Sequence, residues 1–279
     1  MKNIIITGGI GNQMFQYALY CALKEKKTNS MLNVSLYSQV KMHNGYELKR
    51  CFNIDEPIVK SKFSAFRTRV SLKLNCKSKV YNDRIYFDKE VFYTKCKYLS
   101  GYWQSELYFN DIQEKIRNVF IFRNIDSENR KIAEEMRTCT SIGLHIRRGD
   151  YVNNTFYYDL SNDDYYYKAI EYINYRLRSF NDLTYYVFSD DSAYASEFLN
   201  SIGIRNTKII NINRGQNSYK DMFLMSQCKH NIIANSSFSW WGAWLNSNPQ
   251  KNVIAPRKWF KEYSEQEQQD LIPKQWIKL

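Results

Sequence analysis

The sequence predicts an α/β protein built as two halves of about 140 residues each. In the second half, short apolar stretches alternate with stretches of helical periodicity, which is typical of parallel strands covered by helices. The first half opens with an apolar stretch, a glycine-rich turn and an amphipathic helix, and an α/β unit begins in the same way. The chain of 279 residues is long enough for one large domain or two of ordinary size.

The first half is predicted to begin with a strand, a turn and a helix. "NIIIT" gives the strand and "GGIGNQ" the turn, and "QMFQYALYCALKEKK" gives a helix with Phe15, Leu19 and Leu23 on its apolar face. The chain from Met31 to Lys97 is less regular. After it, "KYLSGYWQSELYF" predicts a strand that runs into a helix, and two further helices end near Arg137.

The second half alternates strands and helices regularly. The predicted strands are "SIGLHI", "TYYVFSDD", "KIINI", "HNIIAN" and "NVIAP", and the predicted helices are "NDDYYYKAIEYINYRL", "SAYASEFLNSI", "NSYKDMFLMSQC" and "SSFSWWGAWLN". We therefore predict two domains, 1–137 and 138–279. Because ligands of an open parallel sheet bind outside the carboxyl ends of its strands, the residues that follow these strands are the candidates for a site.

Composition limits the class of protein. The sequence has no stretch of about 18 apolar residues that could span a membrane, and its start, "MKNIIITGGIGNQ", lacks the layout of a signal peptide. We therefore expect a cytosolic protein. The six cysteines are scattered without a C-x-x-C pair, and only three histidines are present. Neither a zinc site nor a disulfide framework is supported.

The net charge of +12 is concentrated in the first half. Through Arg137 there are 24 basic and 14 acidic residues, against 16 and 14 in the remainder. The segment Lys60–Lys79 has seven basic residues, no acidic residue and several apolar ones between them. Nucleic acid, an anionic membrane surface or an anionic substrate would each fit this charge, and so would a solvated basic face without a partner.

Two predicted strand ends carry groups that suit a diphosphate. In "HIRRGDY", Arg147 and Arg148 follow a strand, and the planar fork of arginine matches phosphate better than the point charge of lysine. In "ANSSFSWW", one of Asn235, Ser236 and Ser237 can cap a helix whose free N–H groups and dipole bind phosphate. The plainer interpretations are surface salt bridges for the arginines and simple capping for the helix.

A third strand end, in "VFSDD", carries Asp190 and Asp191. They could chelate Mg²⁺ or bind sugar and ribose hydroxyls, and Asp191 could simply cap the next helix. Since paired arginines already neutralise a diphosphate, a metal is less needed. "GGIGNQ" is not a dinucleotide fingerprint, because the pattern that starts at Gly9 needs a glycine where Met14 stands. A nicotinamide cofactor is therefore not expected.

Together these stretches resemble the bacterial α-1,2-fucosyltransferases of glycosyltransferase family 11. The similarity rests on "GGIGNQMFQYA", "GYWQSELYF", "HIRRGDY", "VFSDD" and "DMFLMSQCKHNIIANSSFSWWGAWLN", and it spans Gly8 to about Asn246. It implies a GT-B-like fold, with two Rossmann-like halves and the active site in the cleft between them. Domain 1–137 would lie on the acceptor side, and domain 138–279 would bind GDP-β-L-fucose.

The resemblance further implies an inverting, metal-independent transfer of L-fucose to a galactose-type acceptor, in an α-1,2 linkage and in surface polysaccharide or O-antigen synthesis. Arg147 would bind the GDP phosphates with the help of Arg148. The other donor-binding residues would be Asp190, Asp191, Asp221, Ser236, Ser237 and Phe238. The residues expected on the fucose or acceptor side are Gly11, Asn12 and Gln13.

The catalytic base is not given by the resemblance. The α-1,6 relatives have a glutamate beyond their arginine motif, and the corresponding stretch here, "YVNNTF", holds no acid. Our first candidate is Asp150 and our second is His145, because Asp, Glu and His commonly take the proton in such steps. Asp150 could equally pair with an arginine, and His145 could be a buried, hydrogen-bonded side chain.

Two other functions remain open at the level of the sequence. A non-catalytic protein that binds a sugar nucleotide would keep the same pocket. A nucleic-acid-binding protein would use the basic first half, although no nucleic-acid-binding motif is present. We expect GDP-fucose and a glycan acceptor as partners, with Lys60–Lys79 in peripheral contact with an anionic membrane. We expect neither nucleic acid nor a cofactor beyond the donor.

Overall fold

The chain forms two compact units, each with one parallel sheet. The computed structural model describes residues 1–38, 43–74, 79–152, 154–178 and 183–279. The units are Met1–Asn124 and Ile125–Leu279. None of the helices in these described ranges has both the length and the apolar character that crossing a membrane requires.

The first unit is built around strand β1. Its strands are β1 (Lys2–Ile5), β2 (Ser30–Asn33), β3 (Ile58–Val59), β4 (Val80–Asn82) and β5 (Tyr98–Ser100), in the order β3-β2-β1-β5-β4. Its helices are α1 (Ile10–Glu25), α2 (Leu48–Cys51), α3 (Lys62–Lys73) and α4 (Gln113–Val119). Asn3 of β1 lies opposite Met31 on one side and Tyr98 on the other. The predicted opening strand and helix are confirmed.

Helix α1 starts at Ile10, earlier than the sequence predicted, because the turn before it needs only two glycines. Gly8 has φ +78°, a conformation that favours glycine, and an added Cβ there would lie 2.8 Å from Nδ2 of Asn12. Gly9 then takes the N-cap position. Nearly all of α1 as far as Leu23 is buried, so it forms the centre of the first unit.

The helix predicted within "GYWQSELYF" is only a short 3-10 turn, Glu106–Tyr108. The backbone before it is fixed in another conformation by Asp83. Its Oδ2 accepts hydrogen bonds from the backbone N–H groups of Tyr102 and Trp103, at 2.5 and 2.6 Å. Trp103 is fully buried and has φ +56°. A helix cannot pass through such a position.

The second unit has a doubly wound sheet. Its strands are β6 (Thr140–Ile146), β7 (Leu183–Ser189), β8 (Thr207–Ile210), β9 (His230–Ile232), β10 (Val253–Ala255) and β11 (Ile277–Lys278). Its helices are α5 (Ser127–Thr138), α6 (Tyr165–Arg176), α7 (Ser192–Ser201), α8 (Tyr219–Gln227) and α9 (Ser237–Leu245). The strand order is β11-β10-β9-β6-β7-β8. Because β7 and β8 lie on one side of β6 and β9 to β11 on the other, the order reverses between β6 and β9.

The two faces of this sheet are covered by different helices. Ile142, Leu144 and Ile146 of β6 pack in one cluster with residues of α6 and α7. Tyr186 and Phe188 of β7 pack on the opposite face with residues of α5 and α8. Strand β6 is buried along its whole length. Its apolar sequence therefore reflects burial on both faces, as expected for a central parallel strand.

The boundary between the two units lies earlier in the chain than the sequence suggested. The predicted boundary after Arg137 puts helix α5 into the first domain, whereas the compact units divide after Asn124. Ala133 and Met136 of α5 are buried in the same cluster as Leu224 and Met225 of α8. This packing assigns α5 to the second unit.

Candidate active site

Three groups of polar side chains follow three neighbouring strands of the second unit. Arg147 and Arg148 follow β6, Asp190 and Asp191 follow β7, and Ser236 precedes helix α9 after strand β9. Strand β6 lies between β9 and β7. The carboxyl ends of these parallel strands therefore share one edge of the sheet, at the position where ligands of doubly wound sheets bind.

Both arginines form ion pairs with the aspartates. Arg147 Nη1 lies 2.9 Å from Asp190 Oδ2, and Arg148 Nη1 lies 2.7 Å from Asp191 Oδ2. The four side chains are between 24% and 35% exposed. The backbone N–H of Arg148 also donates to Asp190 Oδ1, at 3.0 Å. The structure thus brings together two motifs that are far apart in the sequence.

A tyrosine of helix α6 fixes the backbone of the turn that carries Arg147. The backbone N–H of Arg147 donates to the hydroxyl of Tyr166, at 3.2 Å, and Tyr166 is buried. The Arg147 guanidinium carbon also lies 5.4 Å from the ring centroid of Tyr151. Sequence reasoning missed Tyr166. No signal in the tyrosine-rich stretch of α6 distinguishes it from its neighbours.

Asp191 has two structural roles at once. Its carboxylate caps helix α7 by accepting a hydrogen bond from the backbone N–H of Tyr194, at 3.0 Å, as the plainer interpretation expected. The pKa of Asp191 is lowered, first by this bond and then by Arg148. The Arg148 guanidinium carbon lies 4.6 Å from the Tyr194 ring centroid. Arg148 is thus held between a carboxylate and an aromatic face.

The carboxylates of Asp190 and Asp191 already contact arginine and backbone groups. Asp190 contacts Arg147 and Arg148, and Asp191 contacts Arg148 and Tyr194. An added Cβ at Gly149 would lie 2.8 Å from Asp190 Oδ2, so this glycine permits the close approach of the two turns. Across the described residues, no group of three or more His, Cys, Asp or Glu side chains could hold a metal ion.

His145 is a buried side chain near the carboxyl end of strand β6, which finishes at Ile146. Its ring centroid lies 6.1 Å from that of Phe238. Its Nδ1 is buried and has no hydrogen-bond partner among the described residues, so the expected hydrogen-bonded state is not found. Burial and the charge of Arg147 hold the pKa of His145 well below its usual range. The imidazole is therefore neutral and a weak proton acceptor. Asp150 lies in the turn Gly149–Tyr151, and its side chain is outside the described part of the structure.

The start of helix α9 is capped and firmly anchored. The Ser236 side chain accepts a hydrogen bond from the backbone N–H of Phe238, at 3.3 Å. Asn235 Nδ2 donates to the carbonyl oxygens of Tyr158 and Trp259, at 2.8 and 3.0 Å. Asn235 Oδ1 is buried and has no hydrogen-bond partner within the described ranges. Ser237 is the first helical residue and is half-buried.

Asp221 lies in the first turn of α8 within a network of side-chain amides. Its Oδ1 accepts a hydrogen bond from Nδ2 of Asn213, at 2.8 Å. Asn213 is paired in turn with the buried amide of Asn129. Burial raises the pKa of Asp221 to about 7. This carboxyl can therefore carry a proton near neutral pH.

The three residues expected on the fucose or acceptor side have different environments in the first unit. Gly11 is buried within helix α1. Asn12 is half-buried, and its Oδ1 accepts a hydrogen bond from Nε2 of Gln104, at 2.7 Å.

Gln13 has a structural role in the first unit, and the expectation that it faces a ligand stays a prediction. Its side chain is fully buried. Nε2 donates to the carbonyl oxygens of Gly8 and Gly45, and Oε1 accepts from the backbone N–H of Glu47, at 2.9 Å. This amide satisfies the backbone groups of two turns.

We compared the chain with protein-family models and with known proteins. The family model described as "Glycosyl transferase family 11" matches residues 1–279. The chain is 37% identical to an α-1,2-colitosyltransferase of Escherichia coli, over 98% of this chain and 97% of that protein. It is 34% identical to the O-antigen biosynthesis glycosyltransferase WbnK of Escherichia coli, over 91% and 93%. A galactoside α-(1,2)-fucosyltransferase 1 of Mus musculus is 26% identical, over 85% of this chain and 61% of the relative.

Solved structures agree with the fold. The NodZ α-1,6-fucosyltransferase, soaked with GDP-fucose, aligns with a TM-score of 0.50 at 14% identity, over 89% of this chain and 96% of that chain. A mutant of Arabidopsis thaliana FUT1 in complex with GDP aligns with a TM-score of 0.51 at 10% identity, over 91% and 70%. At such identities the similarity concerns the fold alone. It confirms the predicted GT-B-like α/β fold with two parallel sheets.

Proposed function

Because the chain belongs to glycosyltransferase family 11, we propose that it transfers L-fucose from GDP-β-L-fucose to the 2-hydroxyl of a galactose-type acceptor. The observation that carries this proposal is the pair of ion pairs, Arg147–Asp190 and Arg148–Asp191, at adjoining strand ends beside the start of α9. Two guanidinium groups held at fixed positions suit the two phosphates of a nucleotide diphosphate.

The sequence relatives favour a second donor as well. The 37% identical relative is named as a colitosyltransferase. Colitose is L-fucose without its 3-hydroxyl, so GDP-colitose and GDP-fucose share the diphosphate, the guanosine and most of the sugar. The arginine pairs would bind both donors alike. Discrimination between the two sugars would depend on groups that contact the 3-hydroxyl.

The proposed reaction is a single displacement at the anomeric carbon. The acceptor 2-hydroxyl oxygen attacks from the face opposite GDP and forms the new C–O bond, while the bond to the diphosphate breaks and its electron pair leaves with GDP. The β-linked donor thus gives an α-linked product. Negative charge grows on the leaving diphosphate, so a fixed cation there lowers the barrier. Arg147 and the α9 start at Ser236–Phe238 are proposed for this role, with Arg148 helping.

The acceptor proton must pass to a base, and we propose Asp150 for this step. The support is its position in the chain, in the turn Gly149–Tyr151 that directly follows Arg147 and Arg148. His145 is a poorer candidate than the sequence suggested, because burial and Arg147 lower its pKa. A base with a low pKa accepts a proton weakly at neutral pH. No metal step is included, since the arginines can stabilise the leaving group.

We place the reaction in surface polysaccharide or O-antigen synthesis, in the cytoplasm and at the inner face of the membrane. The support is the 34% identical relative, which is named for O-antigen biosynthesis. The acceptor would then be a glycan carried on a lipid.

The test is incubation of the purified chain with GDP-fucose, GDP-colitose or GDP-mannose and a panel of β-galactosides, with the product linkage read by NMR. We expect an α-1,2 linkage from GDP-fucose or GDP-colitose and no product from GDP-mannose. Calorimetric titration with the same donors and with DNA accompanies it. Binding of a GDP-sugar without any transfer would support the non-catalytic alternative, and tight binding of DNA alone would overturn the proposal.

A further inference from the structure

Helix α3 of the first unit directs its small residues inward and its large apolar residues outward. Ala65 and Thr68 are buried, and the Thr68 hydroxyl accepts a hydrogen bond from Asn33 Nδ2, at 3.1 Å. In contrast, Phe63 is 68% exposed and Phe66 is 63% exposed. A helix that only covered a core would have the opposite arrangement.

The exposed apolar residues form one stripe. Phe63, Phe66, Val70 and Leu74 are separated by three, four and four positions, which places them on one face of the helix. Val70 is 38% exposed and Leu74 is 68% exposed. Single exposed apolar residues are normal, but a contiguous patch of this kind marks an interaction surface. We call these four residues the α3 stripe.

The α3 stripe is flanked by positive charge. Lys62, Arg67, Arg69 and Lys73 of the same helix are all exposed. The Arg67 guanidinium carbon lies 5.8 Å from the ring centroid of Phe63, so the charge and the apolar surface are adjacent. The sequence from Lys60 to Lys79 has no acidic residue. The surface therefore combines exposed aromatic and aliphatic groups with several positive charges of the same helix.

We propose that helix α3 binds an anionic membrane surface, with the α3 stripe among the lipid headgroups and the basic residues at the phosphate level. An interfacial helix has this composition, with Phe and Leu on one face and Lys and Arg beside them. A second copy of the chain is a poorer occupant, because two such helices would bring like charges together. Nucleic acid would use the cations and leave the apolar stripe in water.

The expected strength is that of reversible peripheral binding. Each Lys or Arg near an anionic surface strengthens partitioning by roughly fivefold at moderate salt, and the effect falls off within a Debye length. Four cations together would be worth about two orders of magnitude or more. The apolar contacts of the α3 stripe add a contribution to membrane binding that does not depend on salt. The proposal concerns binding alone and does not depend on the donor or the acceptor.

The test is flotation of the full chain with vesicles of phosphatidylglycerol and phosphatidylethanolamine, or of phosphatidylcholine alone, at low and physiological salt. A charge variant changes Lys62, Arg67, Arg69 and Lys73 to Gln. A stripe variant changes Phe63, Phe66 and Leu74 to Ser. A matched control changes four exposed cations of the second unit to Gln: Lys131, Arg178, Arg205 and Lys274. Circular dichroism and thermal unfolding verify that each variant is folded.

We expect the wild type and the matched control to float with anionic vesicles. The charge variant should lose about 100-fold or more in partitioning at low salt. The stripe variant should bind more weakly, with its remaining binding abolished by salt. Transfer to a soluble acceptor should be unchanged in both, which separates this result from the outcome for the proposed function.

Three results would overturn the proposal. One is equal recovery of the wild type with anionic and neutral vesicles. Another is equal loss of binding in the charge variant and the matched control, which would show a general effect of net charge. The third is sedimentation as a dimer that the stripe variant dissociates, without vesicle binding by the wild type. That result would assign the stripe to a second copy of the chain.

Discussion

Arg147 and Asp190 form an ion pair of 2.9 Å between the ends of two neighbouring strands, β6 and β7. The backbone of Arg147 is separately held by the buried hydroxyl of Tyr166. Arg147 is thus held at its backbone by Tyr166 and at its guanidinium by Asp190. An arginine presents five N–H donors, so a phosphate can bind to it while Asp190 remains in contact. A cation held in this way has little reorganisation to undergo during the reaction.

Replacement of Arg147 by Ala should nearly abolish transfer without unfolding the chain. Loss of one fixed donor to the leaving diphosphate should lower kcat by about 100-fold or more. Arg147→Lys should recover only part of the rate, because lysine keeps the charge and loses the planar fork. Steady-state kinetics with GDP-fucose, together with thermal unfolding, measure both effects. Activity of Arg147→Ala within a few-fold of the wild type would remove Arg147 from the mechanism.

Asp191 should reveal its capping role through stability. Asp191→Ala removes both the N-cap of α7 and the partner of Arg148, so the free energy of unfolding should fall by about 1 kcal/mol. Asp191→Asn keeps a capping oxygen for the N–H of Tyr194 and should lie close to the wild type, because asparagine caps as well as aspartate. Urea unfolding at neutral pH distinguishes the two variants. Equal losses in both would mean that the ion pair outweighs the cap.

Transfer should remain complete in EDTA. The expected donors to the diphosphate are arginines and a helix start, and Asp190 and Asp191 already contact arginines. The measurement is the initial rate after dialysis against chelator, with and without added Mg²⁺ or Mn²⁺. If chelation abolished turnover and a divalent cation restored it, the two aspartates would have to be reinterpreted as metal ligands.

The sequence was enough to find the polar groups at the strand ends of the second unit, because the topology of a parallel sheet determines which strand ends lie together. Once strands and helices alternate, the carboxyl ends of parallel strands must share an edge, so Arg147 and Asp190 could be expected near each other. Tyr166 could not be found, because its contact depends on which face of α6 turns toward β6. No sequence period distinguishes a tyrosine that supports a loop from one that only fills the core.

Two features of the first unit that the sequence did not reveal have a common physical cause. Gln13 looked like a ligand-facing amide, but it satisfies backbone groups of Gly8, Gly45 and Glu47 that no local pattern reveals. The predicted helix after Trp103 fails because the carboxylate of Asp83, contributed by a distant part of the chain, fixes the backbone there. Both depend on long-range hydrogen bonds of buried polar groups, which propensity and periodicity do not report.

The free energy of unfolding should depend on pH in a way that reveals a protonated Asp221 in the folded chain. Burial raises its pKa to about 7, whereas an unfolded Asp titrates near pH ~4. Between these values the folded chain holds a proton that the unfolded chain has lost. The contribution of Asp221 to the free energy of unfolding therefore falls as the pH rises through this window, by up to about 1.4 kcal/mol per pH unit. Asp221→Asn removes this pH-dependent contribution. The measurement is urea unfolding of both proteins, without the sugar-nucleotide donor, at several pH values.

The difference between Asp221→Asn and the wild type should be largest above pH ~7 and should shrink toward pH ~4, because asparagine resembles the protonated carboxyl. Asp126→Asn is a control with the opposite sign. Hydrogen bonds from Asn129 and then Lys220 lower the pKa of Asp126, so its stabilisation is fully present above the unfolded pKa and is lost only in acid. Asp126→Asn should therefore be less stable than the wild type by the same amount at every pH in this window. A difference for Asp221→Asn that does not change with pH would mean that this carboxyl is ionised in the folded chain throughout.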